Sequence, residues 1–410
     1  MLGAAPADLF GGVRVVELAQ WLFVPTTGAL LADWGADVIK IEHPVSGDSY
    51  RGLASQGIHA VSQGINPAME SANRGKRSLG LDVKQPAGRA LLLRLVATAD
   101  VFLTNFLPGT LERLGLSLEA LREANPRLIV GRGHGFGVRG PDADLPGFDA
   151  SAFWARGGLG ETLTPAGLAQ PITQRGGIGD RSAAVQLAFG IAAALFRRER
   201  CGEPSVVDVS LLATAIWTLS SDVLSALQGA FRPAPPIEER SPTANPLVNN
   251  YRTRDGRFLC LMFLQPDRFW PDLCRALGEP ALAADPRFAD IAARAQHRDA
   301  CVAALDAIFA RRSYAEWCEA FAGEQFPWAP FQRVTELIED PQVRANGYLG
   351  EVAVEGGEAF RLPNGAVQFD EAPAELRRAP EHGQHTEAIL QELGCDWDEI
   401  GAFKRAGVVL

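Results

Sequence analysis

Two carboxylates follow short glycine-containing turns: Asp149 in Gly147-Phe148-Asp149 and Asp180 in Gly177-Ile178-Gly179-Asp180. Taken alone, Asp149 is a loop or helix-capping residue, and Asp180 caps a helix starting near Arg181. Arg74, Lys76 and Arg77 form the densest early cluster of cations, just before a strand. They either hold phosphate or make a solvated turn. His43 and Arg51 follow an earlier strand, at the carboxyl end where open α/β sheets bind ligands. Asn105 and Phe106 begin a stretch through Gly109 whose backbone N–H groups face a ligand or cap a helix. His134, between Gly133 and Gly135, is the histidine nearest the two acids in sequence.

The familiar cofactor and nucleophile signatures are missing. A strand–helix–strand unit ending in Glu42 invites a dinucleotide reading, yet the turn Ala19-Gln20-Trp21-Leu22-Phe23-Val24-Pro25 has no GxGxxG. Without those glycines a pyrophosphate cannot approach the backbone, which argues against NAD and FAD. No Walker loop, HExxH or GxSxG is present. The 6 cysteines show no CxxC pair and no metal-ligand spacing, so free thiols in a reducing compartment are expected and no metal is.

A formal charge of −10 disfavours nucleic acid, whose phosphates need a basic field. With 47% hydrophobic and 21% charged residues the 410-residue chain has the composition of an ordinary soluble enzyme of two or three domains. Residues 1–12 lack a basic n-region and an apolar h-region, so no signal peptide is expected. The most apolar stretch, 183–196, is shorter than the roughly 20 residues a bilayer requires. It reads as a buried helix. No membrane association is expected, and the cytoplasm is the expected compartment.

The elements that would position the two acids alternate between the strand and helix periods. Apolar runs at 13–18, 38–42, 78–82, 101–104 and 128–131 suit buried parallel strands. Helical patterns at 26–34, 86–96, 108–114 and 117–124 separate them, with Gly35 stopping the first and Pro86 opening the second. This alternation predicts an α/β fold with a doubly wound parallel sheet. A long apolar helix follows Asp180, then a strand at 206–211 and a helix at 213–227. The chain divides into a large Rossmann-like domain at 1–228, a proline-rich linker at 229–245 and a smaller α+β domain at 246–345. Asp255-Gly256 marks a hairpin turn in the smaller domain. Residues 346–410 return to the large domain.

Several local patterns occur in one order that resembles the family III CoA-transferases of the CaiB/BaiF type. They are Leu31 to Asp48, Asn73-Arg74-Gly75-Lys76-Arg77-Ser78, Thr104-Asn105-Phe106-Leu107-Pro108-Gly109, Gly147-Phe148-Asp149 and Gly177-Ile178-Gly179-Asp180. Asn245-Pro246 and Asp340-Pro341 continue the series.

The resemblance implies no tightly bound cofactor, with a coenzyme A thioester as substrate and a carboxylic acid as partner. His43, Arg51, Arg74, Lys76, Arg77, Asn105, Phe106 and His134 become candidate CoA contacts, although the family often has Arg where His43 stands. Asp149 becomes the expected nucleophile, carrying covalent aspartyl intermediates. Racemases of the family place a His where Phe148 stands. A phenyl ring accepts no proton, so CoA transfer is preferred over the alternative, α-methylacyl-CoA racemisation. Binding of CoA without turnover is the other alternative. Phe148 and Asp180 are expected to be substrate-facing or structural. The stiff segment Phe231-Arg232-Pro233-Ala234-Pro235-Pro236 replaces the glycine-rich cover of the formyl-CoA branch, which argues against formyl and oxalyl substrates. Trp21, Phe23, Phe148 and Trp154 near the expected site point to a larger, more apolar acid. The resemblance also implies an interlocked homodimer.

Overall fold

The computed structural model describes residues 8–53, 64–236, 243–354 and 356–410; part of the expected 229–245 linker lies outside them. The fold is α/β, as the alternation predicts. Six strands form one parallel sheet: β1 (Arg14–Leu18), β2 (Asp37–Glu42), β3 (Arg77–Gly80), β4 (Val101–Thr104), β5 (Ile129–His134) and β6 (Val206–Ser210). Their order is β3-β2-β1-β4-β5-β6, so the direction of winding reverses between β1 and β4. A crevice opens at such a reversal, beyond the carboxyl ends of the strands.

Helices cover both faces of the sheet. α1 (Phe23–Asp33) begins three residues earlier than the pattern at 26–34 indicates, because Phe23 and Val24 are themselves buried. α2 (Pro86–Val96) has Pro at its first position and buries Leu91, Leu92, Leu95 and Val96 at helical spacing. Each such side chain contributes about 2 kcal/mol when withdrawn from water. α3 (Ile178–Cys201) packs against α1, where Thr27 Oγ1 donates to the carbonyl of Ala184 at 3.2 Å. Only one face of α3 is buried, through Ala183, Ala184, Leu187 and Ile191. Val185, Phe189 and Phe196 are exposed on it, so the helix expected to be buried is buried along one face. The helix expected at 213–227 is two, α4 (Leu211–Thr218) and α5 (Ser220–Leu227), broken at Leu219.

One compact unit comprises residues up to Thr164, Ala169–Arg232 and Pro341–Leu410. Within it the free edge at the end of β3 is covered by His385, which bonds the Ser78 backbone, and by residues 408–410. Leu81 bridges Val409, Asp82 N–H donates to the Val408 carbonyl at 2.8 Å, and Leu410 N–H donates to that of Gly80 at 3.2 Å. The other unit comprises Pro233–Asp340 with Pro165–Leu168. It holds an antiparallel sheet of β7 (Val248–Arg252), β8 (Phe258–Met262) and β9 (Trp328–Pro330). Its own aromatic core includes Tyr251, Phe263, Trp270, Phe309, Trp317 and Phe321. No helix among the described residues is long and apolar enough to cross a membrane.

Candidate active site

Both predicted acids sit at one place, the first turn of α3. The close approach of two glycines begins the arrangement: a Cβ on Gly135, just past β5, would lie 2.6 Å from Gly147 Cα. This brings Gly147-Phe148-Asp149 against the carboxyl end of the sheet. Asp149 then opens a π-helical turn, Asp149–Ala155, closed by the Arg156 N–H to Ser151 carbonyl bond. That turn aims the Asp149 carboxylate at the amino end of α3. Oδ2 accepts from Gly177 N–H at 2.8 Å and Oδ1 from Gly179 N–H at 3.1 Å. Asp180 N–H and the Gln174 side chain also donate to it. Gly179 is required by space, since a Cβ there would lie 2.4 Å from Asp149 Oδ1.

Burial raises the pKa of Asp149, and the donors just named offset that only in part. Asp149 thus caps a 24-residue helix, and both its oxygens are engaged. Asp180 differs. Its carboxylate accepts no hydrogen bond among the described residues, and it is half-buried. Burial, and then the negative charge of Asp149, push its pKa up to about 7, against the opposing effect of Arg181.

Two cavities meet at this point. The smaller, about 290 Å³, lies at the ends of β1, β4 and β5 and is lined by Gln20, Phe23, Asn105, Phe106, His134 and Gly135 among others. The larger, about 580 Å³, is lined by Leu22, Tyr50, Leu53, Asp149, Trp154 and Ile172 among others. Three residues line both: Trp21, Phe148 and Asp180.

Trp21 has a left-handed backbone, with φ of 70°, which is costly for a residue bearing Cβ. Its neighbours hold it there. Lys40 Nζ donates to the Ala19 carbonyl at 2.9 Å, and Asp48 Oδ1 accepts from Trp21 N–H at 3.1 Å. Asn105 reads the peptide between them twice, accepting from Gln20 N–H at 3.1 Å and donating to the Gln20 carbonyl at 2.6 Å. Beneath this segment lies a buried ionic network in which Lys40 pairs with Glu17 and Asp48.

The predicted cations are not one cluster. Arg74 makes a bidentate pair with Asp33 of α1, at 2.8 and 2.6 Å. Lys76 has no exposed side-chain surface and donates to Glu17, the Pro25 carbonyl and Asn73. Burial, which outweighs Glu17, lowers the pKa of Lys76 to about 8. Arg77 pairs with Asp37 and Glu392 at the amino ends of the strands, opposite the ligand edge. Each of the three cations faces a different carboxylate of this chain.

Arg51 is likewise bidentate to Glu42, at 2.7 and 2.8 Å. Burial would raise the pKa of Glu42, but Arg51 and Lys40 hold it down at about 2. The His43 ring accepts from the Val45 and Ser46 N–H groups and so caps a turn. Asn105 spends its amide on Gln20, and Phe106 N–H donates to Thr104 Oγ1 at 3.1 Å. His134 does reach the smaller cavity, with Nε2 3.2 Å from Asp208 Oδ1. Gln174 and the backbone of Trp21 carry no sequence signal, since their roles arise only from distant partners.

Known proteins agree with this architecture. A family model described as CoA-transferase family III matches residues 10–386. The (R)-2-hydroxy-4-methylpentanoate CoA-transferase of Clostridioides difficile is 32% identical, over 98% of this chain and 99% of that protein. The cinnamoyl-CoA:phenyllactate CoA-transferase of Clostridium sporogenes is 34% identical, over 97% and 96%. The crystal structure of a CaiB/BaiF family protein from Brucella suis superposes with a TM-score of 0.79 at 30% identity, covering 94% of this chain and 99% of that one.

Proposed function

Since the chain belongs to CoA-transferase family III, we propose that it moves CoA from an acyl-CoA donor to a carboxylic acid through covalent intermediates on Asp180. The observation that carries this reading is the Asp180 carboxylate at the junction of two cavities, which accepts no hydrogen bond from the described residues. A carboxylate whose oxygens are saturated by donors is a poor nucleophile, so the role expected of Asp149 passes to Asp180. Asp149 becomes its positioning residue, anchoring the turn that carries Asp180 and making its oxygens more basic.

The ionised Asp180 attacks the donor thioester, forming an aspartyl–acyl anhydride and releasing CoA thiolate. The thiolate attacks the aspartyl carbonyl, giving an aspartyl–CoA thioester and the free donor acid. The acceptor carboxylate attacks that thioester, expelling CoA thiolate and forming an aspartyl–acceptor anhydride. The thiolate then attacks the acceptor carbonyl of this anhydride, giving acceptor acyl-CoA and restoring the Asp180 carboxylate. Withholding water matters throughout, because an anhydride hydrolyses.

The smaller cavity, at the carboxyl ends of the strands, suits the thiol arm of CoA. The larger suits the acyl chain, and its lining by Leu22, Tyr50, Leu53, Trp154 and Ile172 supports a branched or aryl acid. The relatives named for 4-methyl-branched and phenyl-bearing hydroxy acids support the same class. His134 is the expected CoA contact that lies nearest this chemistry. Racemisation has no base at Phe148. We also read the chain as a homodimer, which the exposed Phe189, Phe196, Trp217 and Leu227 support. Incubation with a panel of acyl-CoA donors followed by hydroxylamine tests the reading. It expects a hydroxamate on Asp180 by mass spectrometry. Solvent deuterium at the α-carbon of a 2-methylacyl-CoA, with no CoA exchange, would instead establish the racemase.

A further inference from the structure

We infer that Trp21 is a specificity-determining partition, keeping the acyl chain and water of the larger cavity apart from the thiol side of Asp180. This rests on the reading of Asp180 as the acylated residue. The wall between the cavities consists of Trp21, Phe148 and the Asp180 carboxylate, the three residues that line both. The two rings meet edge to face, with centroids 5.5 Å apart and planes at 89°.

Trp21 packs only against the rim of a small core that includes Leu22, Tyr50 and Met69. It is half-buried, and Phe148 against it is 55% exposed. A hydrophobic anchor would be expected to lie deeper, in an ordinary backbone conformation. Trp21 instead stands in the left-handed region, with the chain from Ala19 to Trp21 fixed by Lys40, Asn105 and Asp48. Strain persists at a site only where its surroundings over-determine it, and such sites cluster where a side chain must be aimed. Here the strain aims an indole between two chambers beside the nucleophile.

The wall has two consequences. An acyl group bonded to Asp180 is confined to the larger chamber, so its bulk is measured against the indole. The thiolate approaches from the other side, and water in the larger chamber is displaced by the acyl group. Removing the indole joins the chambers. Acids are then sorted less by size, and the anhydride is open to water.

The test uses Trp21→Ala and Trp21→Phe, with 4-methylpentanoyl-CoA as donor and butanoate or 3-phenylpropanoate as acceptor. The readouts are the ratio of kcat/KM for the two acids and the ratio of hydrolysis to transfer. Trp21→Ala is expected to shift each ratio at least tenfold while the hydroxamate still forms on Asp180, with Trp21→Phe between it and the parent. A purely structural role would lower every rate together and leave both ratios unchanged. Ratios within twofold of the parent, in either variant that still forms the adduct, would overturn the partition and leave the transfer reading standing. If the parent enzyme forms no adduct with any donor, the transfer reading falls and the partition with it.

Discussion

Replacing Asp149 by Asn separates the two acids' roles. The substitution removes one negative charge beside Asp180 while keeping an oxygen able to accept from Gly177 or Gly179. The second N–H then meets an amide group or nothing, at a cost of about 1–3 kcal/mol for an unsatisfied buried donor. Burial is the larger cause of the raised Asp180 pKa and Asp149 the next. Loss of that charge therefore lowers it. The nucleophile must be ionised, so adduct formation in the parent rises with pH through about 7. In Asp149→Asn the same rise occurs at lower pH. The assay is rapid-quench mass spectrometry of the acyl-enzyme after a single turnover, at pH values on both sides of 7. Asp180→Asn forms no adduct at any pH. The reasoning is refuted if Asp180→Asn retains the adduct, or if folded Asp149→Asn loses it at every pH.

Asp180→Asn has a second expected effect, on stability. The folded pKa lies above the ordinary carboxylate value, so the protonated acid favours the fold. That contribution is lost as pH rises through about 7. The neutral amide therefore raises the melting temperature above pH 7 by a few degrees, on the order of 2 kcal/mol, as calorimetry will read. Lys76→Met leaves Glu17 short of one buried partner and costs about 3–5 kcal/mol in urea denaturation. Its KM for the CoA donor is unchanged, whereas a phosphate contact would raise it. Gly179→Ala forces a Cβ to within 2.3 Å of Phe153 Cγ and 2.4 Å of Asp149 Oδ1, so the turn must shift. The acylation rate falls by about 100-fold while circular dichroism keeps its helical signal.

The class of fold was legible because buried parallel strands are short, continuous apolar runs and the helices between them have caps and breaks. Strand order was not, since nothing local to β1 says that β4 rather than β3 lies on its far side. The cations separate for a geometric reason. Arg74, Lys76 and Arg77 are neighbours in sequence, but the chain passes from a turn into a strand there, and their side chains diverge toward Asp33, Glu17 and Asp37. Charge clusters in sequence become clusters in space only when the backbone lets them. The pairing of Asp149 with the first turn of α3 depended on a contact between segments far apart in the chain. Each acid could be named in advance, but which had spare oxygens could not. Asn105 shows the same limit, because its partner, the peptide of Gln20, has no distinctive residue type.

The covered edge of β3 has a consequence for biosynthesis. His385, Thr386 and residues 408–410 leave the ribosome hundreds of residues after the strand end they shield. At ordinary elongation rates that delay is on the order of tens of seconds. Throughout it, the parallel sheet presents an unpaired row of amides and carbonyls, the kind of surface on which nascent chains join one another. Yield in a heterologous host will accordingly depend on elongation speed and on chaperones that occupy open sheet edges.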